Sequence, residues 1–121
     1  NLQDEFLRKI RKPFYSEPEV TEFHSFTIRF GGFINETRFR NWFKYFASLH
    51  RKKIYRIKGI VNWDNNPLLG IVQSVGGTTS ISEGSVVNPY EPIENVLVFI
   101  GKEISKFEIE KEFRQFLLQE N

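Results

Sequence analysis

The sequence predicts an α+β fold: a two-layer sandwich in which a mainly antiparallel sheet of about four strands carries two helices on one face. Three observations lead there. A period-two run from Phe23 to Phe30 opens the globular part, two segments with helical apolar spacing each follow a capping signal, and further strand-like runs lie between them. The resulting order is strand, helix, strand, strand, strand, helix.

At 121 residues the chain is long enough for one buried core and too short for two. Hydrophobic residues at 40%, with thirteen Phe among them, supply the apolar surface that offsets the ordering entropy of a compact fold. The absence of cysteine excludes a disulfide framework, a thiolate metal site and a cysteine nucleophile. No apolar run reaches the roughly 18 to 20 residues of a membrane-spanning helix. "NLQDEFLRKIRKPF" also lacks the pattern of a signal peptide, so a soluble, cytoplasmic location is expected. A sequence opening on Asn1 without an initiating Met is expected of a fragment or processed product.

Leu2, Phe6 and Ile10 recur at spacing four, the pattern of a short amphipathic helix ended by Pro13, and the stretch around Pro13 and Pro18 reads as a linker. Residues 1–20 are therefore expected to be linker or short helix, and residues 21–121 the domain. In the first strand Phe26, Ile28 and Phe30 share one face and Ser25, Thr27 and Arg29 the other, until Gly31 and Gly32 end it. Asn35 is an N-cap flanked by a hydrophobic staple of Ile34 and Phe39, and Phe39, Trp42, Phe43, Phe46 and Leu49 form an inward helical stripe. From Ile54 to Trp63, the residues Tyr55, Ile57, Gly59, Val61 and Trp63 are expected on one face, and Arg56, Lys58 and Ile60 on the other.

"DNNP" then turns the chain into a third strand from about Leu69 to Val75. Gly76 and Gly77 are expected to allow a bulge or sharp bend, with "TTSIS" continuing as a bent or edge strand and "EGSVVNPYEPIEN" as a polar loop. "NVLVFI" is a continuous apolar strand stopped by Gly101. Ser105 and Glu108 form a capping box with Ile104 and Ile109 as its staple, and Ile109, Phe113, Phe116 and Leu117 make the stripe of the second helix.

Catalytic signals are missing. There is no G-x-x-x-x-G-K-[ST], G-x-G-x-x-G or G-x-S-x-G, so phosphate cradles, dinucleotide sites and hydrolase elbows lack their backbone signature. His24 and His50 are far apart and have no second ligand at a familiar spacing. His24, at a strand start, is the better placed for a metal, although a lone histidine there is more often solvated or hydrogen-bonded. Glu108 and Glu112, four apart among lysines, read as a solvated helix face rather than an acid/base pair. Net charge is +2, yet residues 36–58 hold eight Lys and Arg against Glu36 alone.

"YRIKGIVNW", "IVQSVGG" and "NVLVFIGKEIS", in that order after a strand and an aromatic helix, resemble the C-terminal domain of the CobW family of GTPases, a group of metal chaperones. The resemblance runs from about Phe23 to Leu118. It is carried by Arg56, Lys58 and Gly59 in R-x-K-G, by Gln73, Val75 and Gly76 in Q-x-V-G, and by Leu97 to Gly101, including Phe99, in "LVFIG". The Trp often seen after the Val-Gly step is absent, as is a His-rich tract.

The resemblance implies a non-catalytic accessory domain of a parent whose N-terminal P-loop domain binds GTP, Mg²⁺ and a cargo metal such as Zn²⁺ or Co²⁺. The process implied is zinc homeostasis or the assembly of cobalamin-type metallocofactors. The partners implied are that GTPase domain or a metalloprotein client, with no cofactor in this chain. Gly59, Val75, Gly76, Phe99 and Gly101 would be structural.

Arg56 and Lys58 lie two apart, so they share a sheet face opposite Ile57 and Gly59, and hence opposite the helices. Gln73 on the paired strand is expected to join them, with Thr27 and Arg29 extending the face. A docking surface is the sharp reading, with Arg56 making bidentate contacts that Lys would not reproduce. Solubility of an exposed sheet is the plain one. Gly59 is expected to make room for an aromatic side chain lying on the strand. The alternative from a different class is a module that binds nucleic acid or another anionic partner through the basic stretch, with steep salt dependence. A small independent enzyme would need converging titratable groups that the sequence does not display.

Overall fold

The computed structural model describes Gln3 and residues 23–118, with side chains through Arg114. The expected helix of Leu2, Phe6 and Ile10, the linker around Pro13 and Pro18, and the side chains of Phe116 and Leu117 lie outside the described residues. Seven elements follow one another: β1 (Phe23–Phe30), α1 (Glu36–Leu49), β2 (Ile54–Val61), β3 (Leu68–Val75), β4 (Thr78–Val86), β5 (Asn95–Lys102) and α2 (Lys106–Leu118). The strands form one sheet of order β1-β5-β2-β3-β4, antiparallel at every neighbouring pair. Because β5 is inserted between β1 and β2, those two run parallel, and α1 is the crossover that a parallel pair requires.

The sheet has five strands where about four were expected. "TTSIS" does not continue β3 but begins β4, since Val75 pairs with Thr78 and leaves Gly76 and Gly77 as a two-residue hairpin loop. Their φ angles of +58° and +89° belong to a type I′ turn, whose twist matches that of the flanking strands and which residues without a Cβ adopt freely. The stretch from Glu83 to Val86, expected in a loop, lengthens β4, and the irregular segment shrinks to residues 87–94.

Both helices start where their caps lie. The Asn35 side-chain oxygen accepts from the Arg38 N–H at 2.9 Å, and Ser105 Oγ accepts from the Glu108 N–H at 3.2 Å. Ile34 and Phe39, the staple of α1, are both fully buried.

One sheet face takes both helices. Phe39, Phe43 and Phe46 of α1 and Ile109 and Phe113 of α2 share a core with Ile28, Ile57, Val72, Leu97 and Phe99 of the strands. Phe26 stands directly across from Phe99, with the rings stacked at 5.1 Å, a cross-strand pair of the kind that fixes register. Two inward positions of the sequence reading turn outward. Leu49 is exposed because, at 3.6 residues per turn, the stripe arrives at Ala47 and His50 instead. Tyr55 is exposed because the register against β5 shifts between Ile54 and Arg56, which sends both Ile54 and Ile57 into the core and leaves Tyr55 and Arg56 between them exposed.

A buried polar knot closes one end of the sheet. Asn95 Oδ1 accepts from the backbone and side-chain N–H groups of Asn62, at 2.7 and 3.2 Å, while its Nδ2 donates to the carbonyls of Phe30 and Gly32. The Asn62 amide also donates to the Glu94 carbonyl at 3.0 Å. One fully buried amide thus ties the ends of β1 and β2 to the start of β5, with its polar atoms satisfied.

Candidate functional site

The pairing register sets out the second sheet face row by row. Ser25, Ile100, Arg56, Val75 and Thr78 stand side by side across the five strands; then Thr27, Val98, Lys58, Gln73 and Ser80; then Arg29, Val96, Ile60, Ile71 and Ser82. Arg56, Lys58, Gln73, Thr27 and Arg29 therefore do share one face, and it is the face opposite the helices. Lys58 sits directly across from Gln73. Arg29 lies one row further along and is held by Glu94, with Nη1 2.7 Å from the carboxylate, an exposed pair of small energetic weight.

The face is graded. At one end Arg56 is exposed beside Tyr55 and Val75, whose exposures of 53% and 46% are high for residues of their size in strands. The same shift that expels Tyr55 sets its ring edge-on to Phe23 at 6.1 Å, and the Lys102 ammonium lies 5.2 Å from the Phe23 ring centre. Phe23, Tyr55, Arg56 and Lys102 thus form an aromatic and cationic cluster at one edge. Sequence reasoning missed it, because nothing in the alternation of β2 announces the register shift. Such a cluster offers flat apolar area and fixed donors, the combination that dominates binding energy at protein interfaces. At the other end Ile60, Leu69 and Val96 form a second, smaller apolar cluster, against which Val87 and Val98 pack.

The family-motif glycines have distinct neighbours. A Cβ on Gly59 would fall 2.3 Å from Leu97 Cδ2 and 2.7 Å from the Val96 carbonyl oxygen, so the room it leaves is taken by aliphatic side chains and backbone rather than by an aromatic. The glycine on which an aromatic lies is Gly70, where a Cβ would come within 2.3 Å of the Trp63 ring. At Gly101 a Cβ would strike the Lys53 carbonyl, the same oxygen that accepts from the Lys102 N–H at 2.7 Å, so this glycine lets the turn after α1 close on β5. Gly76 donates its N–H to the Tyr55 carbonyl at 2.9 Å, which couples the hairpin to the shifted segment of β2. Val75 is exposed beside Arg56, and Phe99 is a core residue.

The basic residues of the 36–58 stretch do not form one stripe. Arg40 and Lys44 lie on the exposed side of α1, where Arg40 Nη2 meets Glu36 at 2.8 Å, while Arg56 and Lys58 lie on the far face of the sheet. His24 is exposed at the start of β1, opposite Gly101. His50 packs on Phe46 and lies 3.4 Å from a Glu112 oxygen, linking the helices. Among the described residues no three His, Asp or Glu side chains converge as a metal site would require, and no helix is long and apolar enough to cross a membrane.

Fold and face together define a two-layer α+β domain with one helix-covered and one graded sheet face. Residues 23–117 match the family model described as the cobalamin synthesis protein cobW C-terminal domain, and the chain belongs to that family. Its fold resembles the crystal structure of the Zn(II)-bound YjiA GTPase from E. coli, with a TM-score of 0.70 and 18% identity over 87% of this chain. A Zn(II)-bound triple mutant of the YjiA GTPase matches equally well. This chain corresponds to 33% of each of those chains. No curated protein sequence matches it significantly.

Proposed function

We propose that this domain is the accessory module of a CobW-type P-loop GTPase that delivers a transition metal such as zinc or cobalt in the cytoplasm, with GTP, Mg²⁺ and the metal held by the GTPase domain. The polar end of the helix-free face is where it meets that GTPase domain or a metalloprotein client. The observation that carries this reading is the exposed Arg56 flanked by Tyr55 and Val75, one row from the Lys58 and Gln73 pair. A guanidinium there is fixed by a strand, offers paired donors to a carboxylate or phosphate, and has apolar neighbours whose burial would strengthen the contact. The bulk of a solubilising surface needs none of these features.

The test is calorimetric titration of the separate GTPase domain of the same parent with this chain, in GTP, in GDP and without nucleotide. Nucleotide-dependent binding that falls at least tenfold with Arg56→Ala supports a docking and switching role. Binding in no state, with capture of a metalloprotein client lost on the same substitution, assigns the face to the client. Salt-steep binding of RNA in place of either would overturn the proposal.

A further inference from the structure

Positive charge gathers at one end of the sheet without the counterions it has elsewhere. The turn between α1 and β2 carries Arg51, Lys52 and Lys53 in succession, Arg56 follows on β2, Lys102 ends β5, and all five are exposed. Hydrogen bonds of the backbone hold these segments together. The Lys53 carbonyl accepts from the Lys102 N–H at 2.7 Å, the N–H groups of Lys53 and Ile54 both donate to the His50 carbonyl, and the Gly76 N–H donates to the Tyr55 carbonyl. Arg51 lies against the hairpin, where a Cβ on Gly77 would come within 2.9 Å of the Arg51 Cβ. Turn, hairpin and the end of β5 therefore present one surface, and it adjoins Arg56.

Elsewhere the cations are matched. Arg29 meets Glu94, Arg40 meets Glu36, and Lys106 and Arg114 both approach Glu110. Arg51, Lys52, Lys53 and Arg56 have no carboxylate within ion-pair reach among the described residues. In segments 50–56, 75–78 and 100–103 the acidic residue is Glu103 alone, and Glu112 of α2 faces His50 at 3.4 Å. Clustered like charges repel one another, and the same field attracts an anion and orients its approach.

The neighbours of these cations favour carboxylates on a protein over a nucleic acid. Val75 and Tyr55, both exposed beside Arg56, supply apolar area that a protein surface would bury on contact. Single-stranded nucleic acid stacks its bases on successive aromatic faces. Here the Tyr55 and Phe23 rings stand edge to face, and the Lys102 ammonium lies over Phe23. From Lys53 to Arg56 is about 10 Å of chain, which three residues of an extended acidic segment can follow.

We propose that this end of the domain seats an acidic segment of the docking partner, whose carboxylates bridge the 51–53 turn and Arg56. The proposal rests on the docking role of the Arg56 end and names the chemistry of what docks there, extending the footprint from the sheet face onto the turn.

The probes are a short polyglutamate peptide and an oligouridylate of equal length, each titrated into the isotope-labelled full chain. Polyglutamate should move the amide signals of Arg51, Lys52, Lys53, Arg56 and Gly77, and leave in place those of Arg40, Lys106 and Arg114, whose charges are already paired. Added salt should weaken it. Arg51→Glu, Lys52→Glu and Lys53→Glu together should weaken it at least tenfold, and the neutral set Arg51→Gln, Lys52→Gln and Lys53→Gln serves if the reversed chain fails to fold. Signals that move alike at every cation, or an affinity unchanged by both sets, overturn the proposal. Tighter binding of oligouridylate at the same residues overturns it in favour of RNA. With the GTPase domain or client of the same parent, binding lost on Arg56→Ala but unchanged by the neutral set removes the acidic segment from the turn and leaves docking at Arg56 standing. Failure of the docking reading shows instead as a partner affinity that Arg56→Ala does not change.

Discussion

Gly59→Ala tests the packing argument where the family motif and the core meet. The added Cβ would lie 2.3 Å from Leu97 Cδ2, 2.7 Å from the Val96 carbonyl oxygen and 2.9 Å from Val72 Cγ2, whereas ordinary contacts lie at 3.4–4 Å. Leu97 can rotate, but the Val96 carbonyl is fixed in the β2–β5 pairing, so the strands themselves must part. Overpacking of this kind costs about 1–3 kcal/mol. Alanine returns roughly 0.5–1 kcal/mol through the smaller entropy of its unfolded chain. With a backbone atom in the clash the cost sits at the upper end, which leaves a net loss of about 2 kcal/mol. For a domain of this size the loss lowers Tm by roughly 8–16 °C.

Urea unfolding followed by far-UV circular dichroism reads the change directly. Gly31→Ala is the control: it is exposed, its nearest neighbour is the Ile93 carbonyl at 3.4 Å, and its stability should stay within about 0.5 kcal/mol of the parent. Adding Leu97→Val to Gly59→Ala removes the side-chain part of the clash and should recover part of the loss, the remainder reporting the Val96 carbonyl. A Gly59→Ala protein as stable as the parent would show that the strands are not held as closely as the contacts require.

Four further outcomes follow from the same structure. Asn95→Leu strands the buried Asn62 N–H and removes the donor to the part-buried carbonyls of Phe30 and Gly32, and should cost about 1–3 kcal/mol in denaturant titration. Asn35→Ala removes the cap of α1 and should cost about 1 kcal/mol, with Asn35→Ser recovering most of it. Gly76→Val forces a branched side chain to a φ of +58° and should destabilise the hairpin while Gly76→Asn is tolerated, as thermal melts would show. Arg56→Ala should leave Tm unchanged, because the side chain is exposed, so any loss of partner binding measured with it reports the surface and not the fold.

Most of the architecture was legible in the sequence because its signals are local. The alternation of β1, the Asn35 and Ser105 caps with their staples, and the placement of Arg56 and Lys58 on one face all depend on residues within a few positions of one another. What the sequence hid depends on pairing. Gly76 and Gly77 can serve a bend or a two-residue hairpin, and only the Val75 to Thr78 pairing decides between them. Tyr55 alternates correctly with Ile57 in sequence, and only the register of β5 reveals the slip that exposes it. Gly59 and Gly70 are both strand glycines, and which one carries an aromatic depends on where Trp63 folds back. The insertion of β5 between β1 and β2, and the Asn95 knot that it brings, are likewise long-range features that no window of the sequence contains.

The grading of the helix-free face explains why a strand of this domain can hold charge without loss of stability. A sheet with one uncovered face must either expose aliphatic side chains or replace them with polar ones. Here the replacement is made row by row: Ile60 and Ile71 stand opposite each other where the face is covered, Lys58 and Gln73 occupy the next row, and Arg56 and Val75 the last. The strand is thus apolar along its helix side throughout, through Ile57, Gly59 and Val61, and changes character only on the other side. Because each row spans all five strands, the Arg56 row and the Ile60 row are separated by a single row containing Lys58 and Gln73. Adjacent strand positions on one face are about 6.5–7 Å apart, so the Arg56 and Ile60 rows lie about 13–14 Å apart. A partner seated on the Arg56 row therefore meets Lys58 and Gln73 before it reaches the apolar end. Lys58→Ala should weaken binding of the partner at the Arg56 end, by less than Arg56→Ala does. An affinity unchanged by Lys58→Ala would show that the partner's footprint stops at the Arg56 row.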